Sequence, residues 1–154
     1  VAGKVPELDL KTEKRLIRLI LELIDRKLIA SAHDLSEGGL AVAAAECCIA
    51  GGIGAVLQLI QSDSAIGAIS DPNAIRPDAL LFGESQSRIL ISAPPEAVPA
   101  ILETAGRYNI SAAVIGTVGG SNLQIAASRV YVDVPVREME QRWKNSIASC
   151  MTAQ

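Results

Sequence analysis

The chain has 154 residues, 49% of them apolar and 20% charged, with a net charge of −3 at pH 7. That is the size and balance of a domain with its own core, too apolar for a disordered chain and too acidic to hold a phosphate backbone by charge. Four aromatic residues (Phe82, Tyr108, Tyr131 and Trp143) are too few and scattered to stack bases, and no apolar run approaches the roughly 20 residues that span a bilayer, so neither nucleic acid nor membrane is expected as a partner.

Residues 1–10 read as an extended lead-in. Because the chain opens on Val1 and not on Met, we expect it to follow a missing upstream domain, with residues 11–154 forming one compact domain. No basic segment followed by an apolar one marks a signal peptide. Thr12 is placed to cap a helix over residues 13–27, in which Leu16, Ile17, Leu19, Ile20, Leu23 and Ile24 recur at helical spacing. Residues 29–32 predict a short strand. A helix over 40–50 follows, apolar nearly all round and therefore buried, and Gly51-Gly52 stops it. Residues 53–60 predict a strand, and 61–76, with Ser, Asp, Gly, Pro and isolated Ile, a mobile loop. One or two helical turns over 77–82 precede a strand at 88–93, a helix at 95–108 and a strand at 112–118. A hairpin-like pair at 123–126 and 130–134 leads into a closing amphipathic helix at 136–148, with Trp143 as a core residue. Helices and strands alternate without a strict βα repeat, which favours α+β, a mixed β-sheet with helices packed on its faces, over a doubly wound parallel sheet.

Two stretches carry chemistry. In Ser31-Ala32-His33-Asp34-Leu35-Ser36-Glu37-Gly38-Gly39-Leu40-Ala41 a strand runs into two glycines and a small-residue helix. Such a start gathers free backbone N–H groups at the positive end of the helix dipole, where an anion such as phosphate can be held. Gly38 and Gly39 allow close approach, and Ser36 can donate to an oxygen. Asp34 and Glu37 oppose a bare anion unless a cation such as Mg²⁺ mediates. A capping turn, with Asp34 or Ser36 as N-cap and His33 as a hydrogen-bonded structural residue, fits the same letters. The second stretch, Leu81-Phe82-Gly83-Glu84-Ser85-Gln86-Ser87-Arg88, sets a carboxylate, a hydroxyl and an amide in succession before an apolar strand. That mix suits the hydroxyls and amides of a sugar or amide-bearing ligand, while Arg88 can pair a phosphate or a carboxylate, Glu84 included. No catalytic residue is assigned, since His33 is the sole histidine and has no visible activating partner. Cys47, Cys48 and Cys150 lack metal-site spacing and read as buried free thiols of a reducing cytoplasm.

Together these stretches resemble the C-terminal domain of phosphoribosylformylglycinamidine synthase, in the aminoimidazole ribonucleotide synthetase-like superfamily. The likeness rests on 32–43 and 81–88, on Ala113-Val114-Ile115-Gly116-Thr117-Val118, similar to a family IGxV stretch, and on the ending Arg142-Trp143-Lys144-Asn145-Ser146-Ile147. It runs from Pro6 to Met151. The Ser-Gln-Ser-Arg form and the Trp-Lys ending resemble the second of the two fused copies in that synthetase. The resemblance implies a cytoplasmic ligase of purine biosynthesis that uses ATP and Mg²⁺, held mainly by missing domains, to turn formylglycinamide ribonucleotide into the amidine. It implies as partners the upstream synthetase domains, a glutaminase delivering ammonia, and the ribonucleotide substrate. It also implies a domain inactive alone, with a pseudo-symmetric nucleotide or substrate site, auxiliary or vestigial, at His33, Asp34, Ser36, Gly38, Gly39, Glu84, Ser85, Gln86 and Arg88. The same domain in an aminoimidazole ribonucleotide synthetase or selenophosphate synthetase, or a non-catalytic interaction module, remains an alternative.

Overall fold

The computed structural model describes residues 8–59, 76–127 and 129–152, with backbone alone at 148, 149 and 152. The loop expected over 61–76 lies, except for Arg76, outside the described residues. The chain divides into two compact units, Val1–Ala43 with Gln61–Val114 and Ala44–Ile60 with Ile115–Gln154.

The first unit opens with helix α1, Leu10–Asp25. Its N-cap is Asp9 and not Thr12: the Asp9 carboxylate accepts the Lys11 N–H at 2.9 Å and the Thr12 hydroxyl at 2.6 Å. One acidic side chain thus serves two donors, and the helix begins three residues earlier than Thr12 alone would place it. It ends before Lys27, whose φ of +55° takes the chain left-handed while the Leu28 N–H closes on Leu23 O at 3.0 Å. Leu16, Leu19 and Leu23 form the inward stripe and pack with Ala97, Ile101 and Ala105. These last three come from a 3-10 turn, Pro95–Ala97, and from α4, Val98–Arg107. The outer side of the same helix pair is polar and cross-linked. Glu22 receives Arg107 at 2.7 Å and the Tyr108 hydroxyl at 2.8 Å, and Arg26 donates to Thr104 Oγ1 at 2.9 Å.

Strand β1, Ser31–Asp34, pairs antiparallel with β3, Ile89–Ser92, so that His33 stands opposite Leu90. This is a two-stranded sheet of its own, whereas the sequence pointed to a single mixed sheet. Three of the four β1 residues are polar, too little apolar surface for a strand inside a larger sheet. Helix α2, Gly39–Gly51, follows β1, and α3, Pro77–Phe82, precedes β3. As its composition required, α2 is buried at Leu40, Ala41, Ala43, Ala44 and Cys48.

The second unit holds the mixed sheet, in the order β4-β2-β5-β6: Gly116–Val118, Ala55–Gln58, Asn122–Ala126 and Val130–Pro135. β2 and β5 run parallel; the other pairs are antiparallel. Ala55 pairs with Leu123 and Leu57 with Ile125, all four buried, so the alternation of two strands falls in register on one face. Helix α5, Val136–Thr152, closes the unit. Trp143, expected in the core, is 61% exposed. Cys150 is exposed as well, whereas Cys48 is buried, and burial pushes the Cys47 and Cys48 thiols up from their ordinary value.

Candidate functional site

The two informative stretches meet in the first unit. Leaving β1, the chain turns through Leu35–Glu37 and enters α2 with φ +75° at Gly38 and +63° at Gly39. Leaving α3, it passes Gly83 and runs through Glu84–Ser87 into β3. The Gly38 N–H donates to Glu84 Oε1 at 2.8 Å, and this bond joins one stretch to the other. Gly39 makes the junction possible: a Cβ there would lie 2.8 Å from the Phe82 carbonyl carbon and 2.9 Å from Gly83 O. Backbone packs directly on backbone, which only glycine permits.

Arg88 locks the second stretch. Its Nη2 donates to Gly83 O, curling the segment back on itself, and its own carbonyl accepts the Leu35 N–H at 3.1 Å. Ser87, at φ +60°, donates its hydroxyl to Glu13 Oε2 of α1 at 2.5 Å. Burial lowers the pKa of the Arg88 guanidinium, and its Nε finds no partner among the described residues. Asp34 is held below the usual carboxylate range by the Ser36 hydroxyl, by its own backbone and by His33.

These segments surround a hollow of about 570 Å³, lined by Asp34–Glu37, by Glu84–Ile89, and by Leu8, Glu13 and Leu16 of the α1 region. Of the residues singled out from sequence, Asp34, Ser36, Glu84, Ser85, Gln86 and Arg88 face it; His33, Gly38 and Gly39 do not. His33 sits in the ladder with Nδ1 2.7 Å from Asp34 O. The roles divide. Glu84, Arg88 and the glycines are tied up in the frame, and Ser36 is engaged by Asp34. Among the described residues the Ser85 and Gln86 side chains make no hydrogen bond to another, so they have polar capacity to offer a ligand. Four carboxylates (Glu13, Asp34, Glu37 and Glu84) against one arginine make the hollow acidic, which suits hydroxyl and amide groups over a bare anion. The anion-holding reading of the Gly38 amide is displaced by Glu84, which already occupies it. Sequence reasoning missed Glu13, because it reaches Ser87 from 74 residues away in the chain and no local pattern announces it. Among the described residues no group of three or more His, Cys, Asp or Glu is placed to hold a metal ion. No described helix is long and apolar enough to cross a membrane.

Comparison with known proteins gives a consistent set of likenesses. The profile of the family described as "AIR synthase related protein, C-terminal domain" matches residues 2–127. The phosphoribosylformylglycinamidine synthase subunit PurL of Moorella thermoacetica is 41% identical over 152 residues, 98% of this chain and 19% of that protein. The PurL subunit of Alkaliphilus metalliredigens is 41% identical over 150 residues, with 97% and 19% covered. Among solved structures, Thermotoga maritima PurL complexed with ATP superposes with a TM-score of 0.76 at 26% identity, covering 90% of this chain and 23% of that one. The complex of that protein with FGAR gives 0.71 at 27%, covering 83% and 21%. The chain spans about a fifth of the length of the curated relatives it matches.

Proposed function

The chain belongs to the C-terminal domain family of AIR synthase related proteins, and from that membership and the hollow's geometry we propose that it is the second such domain of a PurL-type ligase. The whole enzyme would convert formylglycinamide ribonucleotide, ATP and glutamine-derived ammonia to the amidine, in the cytoplasm, with a glutaminase as partner and ATP and Mg²⁺ held on other domains. Relatives named as this synthase match nearly the full chain, and a related protein has been solved with ATP and with FGAR.

The observation that carries the role of this domain is the 2.8 Å bond from Gly38 to Glu84. It fixes the glycine turn and the Glu84-Ser85-Gln86 segment as one wall, on which Ser85 and Gln86 present a hydroxyl and an amide to a ribose or an amide group. Glu84 and Arg88 hold that wall in shape. His33, Asp34 and Ser36 set the angle at which the chain enters α2. The test is nucleotide retention and turnover by the full-length subunit carrying Gln86→Ala or Ser85→Ala. Each is expected to lose up to about tenfold in affinity, the worth of one neutral hydrogen bond, with the fold intact. Wild-type values for both would make the segment a turn and nothing more.

A further inference from the structure

Helix α5 is anchored at its start. Val136 is buried, and its N–H donates to Ser121 O at 2.9 Å, which ties the first turn to the residue before β5. From Gln141 to Ile147 every residue is exposed. Trp143 is 61% exposed, Ile147 75% and Met151 76%, and their four-residue spacing puts all three on one side of the helix. The charged side satisfies itself, with Arg142 on Glu138 at 2.9 Å and Lys144 on Glu140 at 2.5 Å, each one turn apart. The apolar stripe is therefore what the helix leaves in water, and a contiguous stripe of this kind marks a contact surface.

What covers it follows from extent and size. The family profile stops at residue 127, short of α5, whereas the PurL subunits of Moorella and Alkaliphilus match 98% and 97% of the chain, α5 included. The long PurL polypeptides thus match this chain through α5. The match covers 19% of the Moorella polypeptide, so in a subunit of that length most of the surface that could receive the stripe lies outside the structure. Three side chains also offer far less than the roughly 800 Å² per partner that a stable association of separate proteins buries. Within one polypeptide, where linkage keeps the two surfaces at high effective concentration, a small patch is enough.

We propose that the stripe Trp143–Ile147–Met151 docks on an apolar surface elsewhere in the same, longer polypeptide, fastening this domain to the rest of the ligase. The inference rests on the reading of the chain as part of a PurL-type subunit. The experiment places the photoreactive p-benzoylphenylalanine at Ile147 of the full-length subunit, illuminates it at two protein concentrations, and maps the linked peptides by mass spectrometry. Amidine formation is assayed in parallel on the unsubstituted full-length subunit. The expected result is a link within one polypeptide, to residues outside these 154, in a yield that dilution does not change. Hydroxyl-radical oxidation of Trp143 should also be several-fold faster in Ile147→Glu than in the unmodified subunit. A link to a second copy, to another protein or to these same 154 residues overturns the proposal, as does no link. If those outcomes come while the unsubstituted subunit makes the amidine, the docking fails and the ligase reading stands. An unsubstituted subunit without that activity fails the ligase reading itself, whatever the link.

Discussion

Glu84 and Gln86 sit two residues apart on the same wall and should behave differently when removed. Glu84 caps a backbone amide with a charged acceptor, so Glu84→Ala should cost about 1–2 kcal/mol of folding free energy. Gln86→Ala removes an exposed side chain with no partner among the described residues and should stay within about 0.5 kcal/mol of the parent. Urea midpoints of the two variants decide the matter, and equal losses would contradict the division into frame and ligand groups. The glycines allow a second comparison. Gly39→Ala forces a Cβ to within 2.8 Å of backbone at a left-handed φ and should cost about 2 kcal/mol or more. Gly106→Ala, exposed near the end of α4 with nothing within 4 Å of its Cβ, should be neutral or stabilise by about 0.5 kcal/mol. Opposite signs in thermal or urea unfolding are expected; a loss in both would mean that local helix strain was misjudged. At this scale much of the site was legible, because glycines and a Glu-Ser-Gln run have few uses before a helix and a strand. That the Gly38 amide is filled by Glu84 and not left for an anion was not, since that depends on a contact between segments 46 residues apart.

The α1–α4 pair is joined through Glu22 and Thr104. Arg107 first, then Tyr108 and Arg26, hold Glu22 below its ordinary value of 4.5. A carboxylate so lowered stabilises the fold above that value and ceases to do so as pH falls through its folded pKa. Glu22→Gln should therefore be less stable than the parent at pH 7, and the gap between their urea midpoints should close in acid below the ordinary Glu range. A gap that persists at pH 2–3 would contradict the ion-pair account. Thr104 is 1% exposed and accepts from Arg26 while donating to Ala100 O at 2.7 Å. Thr104→Val strips that acceptor from a packed helix face and should cost about 1–3 kcal/mol, read as a drop in the urea midpoint. Most elements could be located from periodicity: the strands at 89–92 and 122–126, the helix at 77–82 and the all-apolar α2 stand where pattern put them. The start of α1 moved because Asp9 is the stronger cap, and β1 left the mixed sheet because its letters are mostly polar. Trp143 shows why composition misleads at a chain's last helix. An aromatic residue on an amphipathic stripe says that the stripe meets something, and pattern alone does not say whether that something lies within these residues.

For the whole molecule, the proposed placement of ATP and Mg²⁺ on other domains predicts that this chain alone releases no ADP from ATP in the presence of the ribonucleotide, since phosphoryl transfer needs triphosphate and metal ligands in one place and the described residues hold no group of three or more His, Cys, Asp or Glu for a metal. Substrate-dependent ADP release by the pure chain above a mock preparation would contradict this. The measurement that bears most directly on the central claim is product identity from the full-length polypeptide, supplied with formylglycinamide ribonucleotide, ATP, Mg²⁺ and an ammonium salt. The account predicts the amidine ribonucleotide, formed one for one with ADP and phosphate. ATP consumed without amidine, or turnover only with the amidine itself or with selenide as substrate, would move the chain to another enzyme of the same superfamily and contradict the claim.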